Sequence, residues 1–387
     1  MAGINPERQE KARLYARALR RLSIAELVLD AAFISVLLVS PLSVHLRNLP
    51  DCPLPLKAAL YFAALSACFG VVFLPLSLYG GFVLPSRFGL ITQSLWSWVG
   101  DVLKRGTRGL LLGTGLVMFI YMSLDAMPGL WWILTGTLFI LLSLVMTNIA
   151  PIIIMPLFYR MEPLADHSLR ERLERLADRS GTKVRGIFTI NLSSKGTIGN
   201  AALMGLGNTK RIVFGDTILM QYTPDEIELI MAHELGHQVH HDVAKLIIIQ
   251  SAVILVGLYL VHLFLTVSVP FLGFQNVADL AALPLLVAVI VAFTAGLQPL
   301  SNACNRHIEA IADRYALSLT GNAEGFITVM AKLTDQNLSE AKPSRWVELL
   351  FYDHPSYHRR VAMAMKYMQK ERNEAYLSET RRDTVEP

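Results

Sequence analysis

Charged residues and cysteines are both scarce in this chain. Of its 387 residues only 17% are Asp, Glu, Lys or Arg, while 53% are hydrophobic. Soluble globular proteins carry about 25% charged residues, so this composition disfavours an ordinary soluble protein. The three cysteines, Cys52, Cys68 and Cys304, lie far apart in the sequence. They show neither metal-site nor redox spacing nor a disulfide framework, and we expect them to be packing residues.

A strong charge of one sign is missing as well. The formal net charge is +4, and no block of Lys and Arg is dense enough to suggest a nucleic-acid partner. A cleavable signal peptide is not expected, because the positive N-terminal region is too long and no small-residue cleavage pattern follows the first apolar run. That run is therefore predicted to remain as a membrane anchor.

Long hydrophobic runs dominate instead, and the mean hydropathy is +0.43. A membrane core of about 30 Å needs about 20 apolar residues of helix to cross it. Six runs of this kind predict membrane spans at residues 24–46, 57–83, 107–125, 129–156, 245–267 and 278–301.

The basic residues predict how the chain is oriented in the membrane. Six of them lie in the first 23 residues: Arg8, Lys11, Arg13, Arg17, Arg20 and Arg21. The positive-inside rule places this end in the cytoplasm, and an even number of spans returns the C-terminus to the same side. The apolar positions of the segment suit either a helix lying on the membrane surface or a plain soluble helix.

Composition divides the chain into six parts. They are a basic N-terminal surface helix (1–23), a four-span membrane domain (24–158), a soluble segment (159–244), two further spans (245–301), a second soluble segment (302–375) and a polar, disordered tail (376–387). The predicted fold is mainly α: a polytopic transmembrane helical protein of about six spans with an α+β domain in the cytoplasm.

Within the first soluble segment the sequence predicts a hairpin followed by a helix. The run "NAALMGLGNTKRIVF" has two β-rich stretches joined by turn-forming residues. Next comes "TPDEIELIMAHELGHQVHH", in which Thr223 and the acidic residues after it are typical of a helix start.

The later turns of this helix carry the chemistry. In "MAHELGHQVHHD", residues 231–242, four histidines, a glutamate and an aspartate occur within twelve residues. Residues four apart share a helix face, so His233 and His237 can bind one tetrahedral Zn²⁺, and Glu234 can reach a water beside it. This is the HExxH arrangement of zinc peptidases. Structural histidines at a helix end are the alternative.

A catalytic zinc needs a third protein ligand and one open position. The metzincin pattern is excluded, because His240 and Val243 stand where it requires Gly and His. A later helix, "NRHIEAIADRYA", offers Glu309 as the ligand. Asp313, on the same face, can then accept the other ring N–H of a zinc histidine. His307 is a rival ligand, although it lies on nearly the opposite face.

The tetrahedral oxyanion of peptide hydrolysis needs a donor beyond the metal. The stretch "HPSYHRR" offers four candidates, and spacing does not choose among His354, His358, Arg359 and Arg360. A solvated basic helix start is the alternative reading of this stretch.

Peptide substrates are commonly held as an added strand at a sheet edge. The stretch "GNAALMG" predicts such an edge, where Asn200 can hold a substrate backbone group or can be an ordinary turn residue. His240, His241 and Asp242 can bind a second metal, but polar residues at a membrane-proximal helix end are favoured.

Several stretches in this order resemble the type I CAAX prenyl proteases, which are integral-membrane zinc metalloendopeptidases. They are "LPLSLYGGFVLPSRFGL", "APIIIMPLFYRMEPL", "NAALMGLGNTKRIVFGDTIL", "HELGH", "RHIEAIAD" and "HPSYHRR". The resemblance implies that His233, His237 and Glu309 bind one Zn²⁺ per chain. It further implies that Glu234 is the general base and that Asp313 orients a ligand or assists proton transfer.

By the same resemblance, His354 and Arg360 stabilise the oxyanion, and Asn200 lines the substrate strand. The implied fold is a ring of helices around a large water-filled chamber, closed on its cytoplasmic side by the zinc domain. The chain departs from the eukaryotic members in two respects. They have one more N-terminal span, and a His where this chain has Asp242.

The expected function is a zinc endopeptidase at the cytoplasmic face of a bacterial inner or plasma membrane. Its partners would be the lipid bilayer and peptide or membrane-protein substrates, cleaved as by a CAAX prenyl protease or in quality control as by HtpX-type relatives. A catalytically silent scaffold or chaperone is the alternative, disfavoured by the intact Glu234, Glu309 and Asp313. A zinc transporter is disfavoured because few ionisable residues lie within the spans.

Overall fold

The structure is a computed structural model that describes residues 3–48, 52–149, 153, 155–205 and 210–383. Its helices are α1 Pro6–Val39, α2 Leu42–Arg47, α3 Leu54–Leu78, α4 Leu84–Arg87, α5 Leu95–Ala126, α6 Trp131–Ile149, α7 Met155–Phe158, α8 His167–Arg179, α9 Asp216–Leu219, α10 Pro224–Val239, α11 Asp242–Phe271, α12 Leu283–Thr320, α13 Ala323–Gln336, α14 Arg345–Phe351 and α15 Tyr357–Asp383. The strands are β1 Met161–Pro163, β2 Ile187–Ile190, β3 Ala201–Met204 and β4 Arg211–Gly215.

Six helical stretches among the described residues are long and apolar enough to cross a membrane. They are Pro6–Val39, Leu54–Arg87, Leu95–Ala126, Trp131–Ile149, Asp242–Phe271 and Leu280–Thr320. The mainly helical fold and the six predicted spans are thereby confirmed. The chamber implied by the resemblance stays a prediction.

The first and last of these helices continue well beyond their apolar runs. Helix α1 is unbroken from Pro6 to Val39, so the basic segment and the first apolar run share one helix, and the surface location of residues 1–23 stays a prediction. No Gly or Pro interrupts the helix after Pro6, and basic residues are good helix formers. Helix α12 likewise joins the last span to the soluble segment and ends at Gly321, which has a φ of +64°.

The C-terminal helix differs from the prediction too. Helix α15 continues to Asp383, although the tail was expected to be disordered from residue 376, and residues 384–387 lie outside the described part. Pairs of opposite charge spaced i,i+4, such as Lys370 and Glu374 at 3.6 Å, support a polar helix that hydropathy does not reveal.

The four strands found in the described residues form one mixed sheet in the order β1-β2-β4-β3. Strands β2 and β4 are parallel, and the other two pairs are antiparallel. The β3–β4 register pairs Ala201 with Phe214 and Met204 with Arg211, which confirms the predicted hairpin. Residues 206–209 of its turn lie outside the described residues. In this order β3 is an edge strand.

Residues 161–239 and 302–383, which we call the sheet domain, have a hydrophobic core of their own. Leu173, Phe214 and Leu235 are each 0% exposed within it. Helix α10 packs directly on α12, and a Cβ added to Gly236 would lie only 3.0 Å from the Cα of Ala312. The absence of a side chain at Gly236 therefore sets how closely the two helices approach.

Candidate metal centre

The start of helix α10 is fixed by a capping box. The backbone N–H of Glu226 donates to Oγ1 of Thr223 at 3.3 Å, and the N–H of Thr223 donates to Oε2 of Glu226 at 2.8 Å. Pro224 occupies the first helical position, where its missing N–H is not needed. These contacts define where the helix begins and hence which face its histidines occupy.

His233, His237 and Glu309 meet where α10 packs on α12. Nε2 of His233 lies 3.3 Å from Oε2 of Glu309, and Nε2 of His237 lies 3.4 Å from Oε1 of the same carboxylate. One ligand atom from each residue falls within 4.8 Å of the others, and the described residues contain no second group of this kind. Two imidazole nitrogens and one carboxylate oxygen are a donor set that fits catalytic Zn²⁺.

The other nitrogen of each imidazole faces a buried carboxylate. Nδ1 of His233 lies 2.9 Å from Oδ1 of Asp313, and Nδ1 of His237 lies 3.0 Å from Oδ2 of Asp242. The two aspartates are 0% and 2% exposed, respectively. Such carboxylates fix the tautomer and orientation of a metal-binding imidazole. This leaves both Nε2 atoms on the side of Glu309.

Arg360 is held tightly by Asp313. Its Nε and Nη2 atoms donate to the two carboxylate oxygens of Asp313, each at 2.7 Å, and Nη2 lies 3.4 Å from Oε2 of Glu309. Burial lowers the pKa of Arg360, but the neighbouring carboxylates of Asp313 and Glu309 outweigh it and raise the pKa above its usual value. The guanidinium is thus a fixed positive charge beside the ligand group.

His354 approaches the ligand group from the segment before α15. Its Nε2 lies 3.4 Å from Oε1 of Glu309, and its Nδ1 lies 2.8 Å from Oδ1 of Asp353. The hydrogen bond with Asp353 raises the pKa of His354. The side chain is 56% exposed, so a substrate can reach it.

The structure therefore separates the four candidates of the "HPSYHRR" stretch into two pairs. His354 and Arg360 lie at the ligand group. Arg359 turns away and pairs with Glu348 at 2.9 Å. The backbone of His358 is bound to Ala341, and its side chain belongs to no ligand group.

Glu234 lies between the ligand histidines and the edge of the sheet. Its Oε2 accepts a hydrogen bond from the backbone N–H of Leu203, on β3, at 3.1 Å. Burial raises the pKa of the Glu234 carboxyl, although the charges of His233 and His237 oppose the shift. A carboxyl with a raised pKa in this position is suited to accept and return a proton.

A cavity of about 830 Å³ opens beside this group. Asn200 is exposed in its wall, next to the edge strand β3. The lining also includes Tyr15, Leu19 and Arg20 of α1, which the sequence did not connect with the site. The N-terminal half of the first span helix thus forms part of the site that the HExxH helix carries.

The remaining sequence candidates fall outside the ligand group. His307 is exposed on α12 and is not a member of it. His240 bonds through Nδ1 to the carbonyl of Gly236 at 2.7 Å, and its ring packs against Tyr315. The described residues therefore offer no second metal group near the end of α10. Sequence reasoning missed the contact between Asp242 and His237.

The chain matches two family descriptions that together cover most of its length. Residues 163–368 match "Peptidase family M48", and residues 2–160 match "CAAX prenyl protease N-terminal, five membrane helices". Within the described part of this second region, four stretches qualify as membrane spans. The described residues of this region thus contain one candidate span fewer than the five membrane helices of the family description.

Individual relatives agree with these matches. Over 345 residues the chain is 30% identical to the "Uncharacterized metalloprotease YhfN" of Bacillus subtilis, covering 87% of this chain and 81% of the relative. It is 32% identical to a "CAAX prenyl protease 1 homolog" of Oryza sativa subsp. japonica, covering 75% and 68%. The crystal structure of S. mikatae Ste24p superposes with a TM-score of 0.84 at 24% identity and covers 94% of this chain and 90% of that one, which shows a shared fold.

Proposed function

The chain belongs to peptidase family M48 as a multi-pass membrane metalloprotease, and on that premise we propose that it is a zinc endopeptidase acting on membrane-associated polypeptides at the cytoplasmic membrane face. The observation that carries the proposal is the position of Glu234 between the His233, His237 and Glu309 group and the sheet edge. A base, a metal donor set and a peptide-binding edge are thereby adjacent.

His233, His237 and Glu309 would hold one Zn²⁺ per chain. The chemistry such an ion would supply is to lower the pKa of a water to about 7 and to polarise the peptide carbonyl. Oδ1 of Asp313 lies 2.9 Å from Nδ1 of His233, where it would orient the ring and keep its Nε2 lone pair available.

Glu234 is proposed as the general base. Its carboxylate takes a proton from the attacking water and later passes it to the leaving amine nitrogen. The Leu203 N–H fixes Oε2 at 3.1 Å, so the carboxylate is oriented before substrate binds. Burial favours the uptake of this proton, because it raises the pKa of the carboxyl.

His354 and Arg360 are proposed to stabilise the oxyanion. The raised pKa of His354 favours the protonated form, in which Nε2 is a donor, and the ring is exposed toward the cavity. Arg360 contributes a positive charge that its two bonds to Asp313 hold in place. Charges positioned in advance at a developing oxyanion are worth about 2.7–4 kcal/mol per donor in acyl-transfer enzymes.

The substrate peptide is proposed to add as a strand to the free edge of β3. Main-chain hydrogen bonds to β3 would supply affinity for any sequence, and side-chain pockets would supply selectivity. Asn200, at the start of this strand and exposed in the cavity, is placed to bind a backbone amide next to the scissile bond.

Two substrate classes fit a site so close to membrane helices. Several relatives carry the name CAAX prenyl protease, which motivates prenylated C-terminal peptides as one class. Unfolded membrane proteins are the other, as in quality control. Both classes would present an apolar anchor together with an extended backbone.

The test compares the detergent-purified wild type with Glu234→Gln, measuring zinc content and cleavage of fluorescent peptides with and without a farnesyl group. Glu228→Gln on the same helix is the matched control, because Glu228 pairs with Arg172 away from the ligand group. We expect one zinc in all three proteins and cleavage by the wild type and the control. Zinc without cleavage of any peptide by the wild type would favour the scaffold or chaperone alternative.

A further inference from the structure

Asp242 is a buried carboxylate at the first residue of α11, the helix that forms the fifth candidate span. Its side chain is 2% exposed, and Oδ2 lies 3.0 Å from Nδ1 of His237. Oδ1 receives a hydrogen bond from Nζ of Lys245 at 3.3 Å. Both oxygens are therefore engaged by side chains, and one of these side chains is a zinc-ligand candidate.

The chain reaches this arrangement through a tight turn between two helices. Helix α10 ends at Val239, and His241 adopts a left-handed conformation with a φ of +55°. For a residue with a Cβ this conformation costs about 1–2 kcal/mol. The turn brings Asp242, five positions after His237, back against the ring of His237.

We infer that Asp242 is a positioning residue of the metal centre, a role that rests on the proposed zinc function. By accepting the Nδ1 proton of His237, it keeps the Nε2 lone pair directed toward Glu309, and Asp313 lies in the corresponding position 2.9 Å from Nδ1 of His233. Each histidine ligand then has its own carboxylate. One of these belongs to α12 and the other to the first residue of a membrane span.

A purely helix-capping role is the competing explanation. Acidic residues at a helix N-terminus are stabilising through the helix dipole alone. The contacts of Asp242 argue for more than this, because its two oxygens are directed at His237 and Lys245. A capping residue would also have no reason to be buried beside a ligand.

The two carboxylates are secured to different degrees. Asp313 accepts two hydrogen bonds from buried Arg360, whereas Asp242 is bound by Lys245, whose side chain is 52% exposed. The hold on His237 is therefore the weaker of the two. We expect zinc affinity to be sensitive to substitutions at Asp242 even though the residue does not touch the metal.

The test measures the zinc dissociation constant by chelator competition on the full-length protein in detergent. Removing a carboxylate that orients a ligand weakens metal binding by about 10–100-fold, which we expect for Asp242→Ala. Asp242→Asn has nearly the same shape and should fall between this variant and the wild type. Asp225→Asn on α10 is the control, because its side chain is 67% exposed and pairs with Arg172.

Two further readouts separate positioning from capping. The visible absorption of the Co²⁺-substituted protein should change in Asp242→Ala and stay as in the wild type in Asp225→Asn. The Tm of the zinc-free protein reports the helix start alone, and it should fall by a similar amount in Asp242→Ala and Asp242→Asn because both remove a negative charge from the first turn of α11.

Wild-type zinc affinity and an unchanged Co²⁺ spectrum in both Asp242→Ala and Asp242→Asn would overturn the inference, whatever happens to the Tm. A wild type that binds no zinc would overturn the proposed metal and the inference with it. A wild type that binds zinc but cleaves no peptide would count against the proposed peptidase activity alone.

Discussion

The sheet domain and the membrane helices bury their side chains to very different extents. In the sheet domain, Leu173 and Phe214 are 0% exposed, whereas Leu111 on α5 and Val71 on α3 are 69% and 73% exposed. The apolar windows of the six candidate spans are between 6% and 39% buried. Lipid tails are as apolar as leucine, so an uncovered leucine on a span is well solvated in the bilayer. Side chains of the sheet domain are held in place by close packing, so we expect the catalytic groups to be positioned by this domain.

Two helices belong to both regions. Helix α12 runs from the last span into the sheet domain and carries Glu309 and Asp313 there. The N-terminal part of α1 is attached by Gln9, which is 7% exposed and donates to Asp335 and to the carbonyl of Ser339. The boundary between the regions thus lies within continuous helices. Whether the two regions lose stability independently can be tested.

The largest effect is expected from removal of the metal. A chelator should abolish cleavage, and added Zn²⁺ should restore it. Loss of a ligand present at 1,000 times its Kd removes about 4 kcal/mol of stability, and we expect this loss in the sheet domain. Hydrogen exchange followed by mass spectrometry checks this, because protection should fall in α10 and remain unchanged in α5. An equal loss in both helices would show that the two regions unfold together.

Next in size is truncation of a core aromatic residue. Phe214→Ala should cost about 3–5 kcal/mol, because β4 loses a fully buried ring and a cavity remains. Leu111→Ala on α5 is the matched substitution on a lipid-facing surface and should change stability by less than about 1 kcal/mol. Thermal unfolding in one detergent measures both. A comparable loss for Leu111→Ala would mean that protein, and not lipid, covers that face.

A pair of glycine substitutions should give shifts of opposite sign. Gly236→Ala should destabilise by about 1–3 kcal/mol, because the new methyl group would meet the backbone of Ala312. Gly115→Ala on α5 has no atom within 4 Å of the new methyl group. It should therefore stabilise its helix by about 0.5–1 kcal/mol. Cleavage rates should fall only for Gly236→Ala, since that methyl group would separate Glu309 from the histidines.

The smallest effect is expected at the junction of α1 with the sheet domain. Arg20 pairs with Glu340 at 3.4 Å, and the two side chains are 24% and 17% exposed. Partly exposed pairs of this kind contribute about 0–1 kcal/mol, so Glu340→Gln should lower Tm only slightly. Gln9→Leu should cost more, about 1–3 kcal/mol, because it leaves the N–H of Ala341 unpaired. Equal shifts for the two variants would show that the charge pair contributes as much as the buried amide to the attachment of α1.

The sequence revealed those parts of the site whose geometry is local. His233, His237 and Glu234 share one helix, and the four-residue spacing of Glu309 and Asp313 places both on one face of another. The number of spans also followed from hydropathy. These features depend on periodicity and composition, which a single sequence displays.

Features of the site that depend on the backbone path or on tertiary packing could not be predicted from the sequence. The contact between Asp242 and His237 requires the left-handed turn at His241, and the residues "HHD" contain no pattern that predicts such a turn. The choice of Arg360 over Arg359 depends on how α15 faces α12. Hydropathy also cannot report whether a helix continues past its apolar run, and α1 passes residue 23, the predicted boundary, without a break.

Glu309 lies on the same long helix as the last membrane span, so a change in the tilt of that span moves Glu309. The helix has 38 residues, so its ends are separated by about 57 Å at 1.5 Å per residue. A tilt of about 5° around the middle of the span would swing Glu309 by about 2 Å. Catalysis tolerates far less, because a misplacement of about 1 Å can cost about 100-fold in rate. Tilting is one way in which a spanning helix adapts to a bilayer of different thickness, so turnover should differ between thin and thick bilayers even when no lipid touches the site.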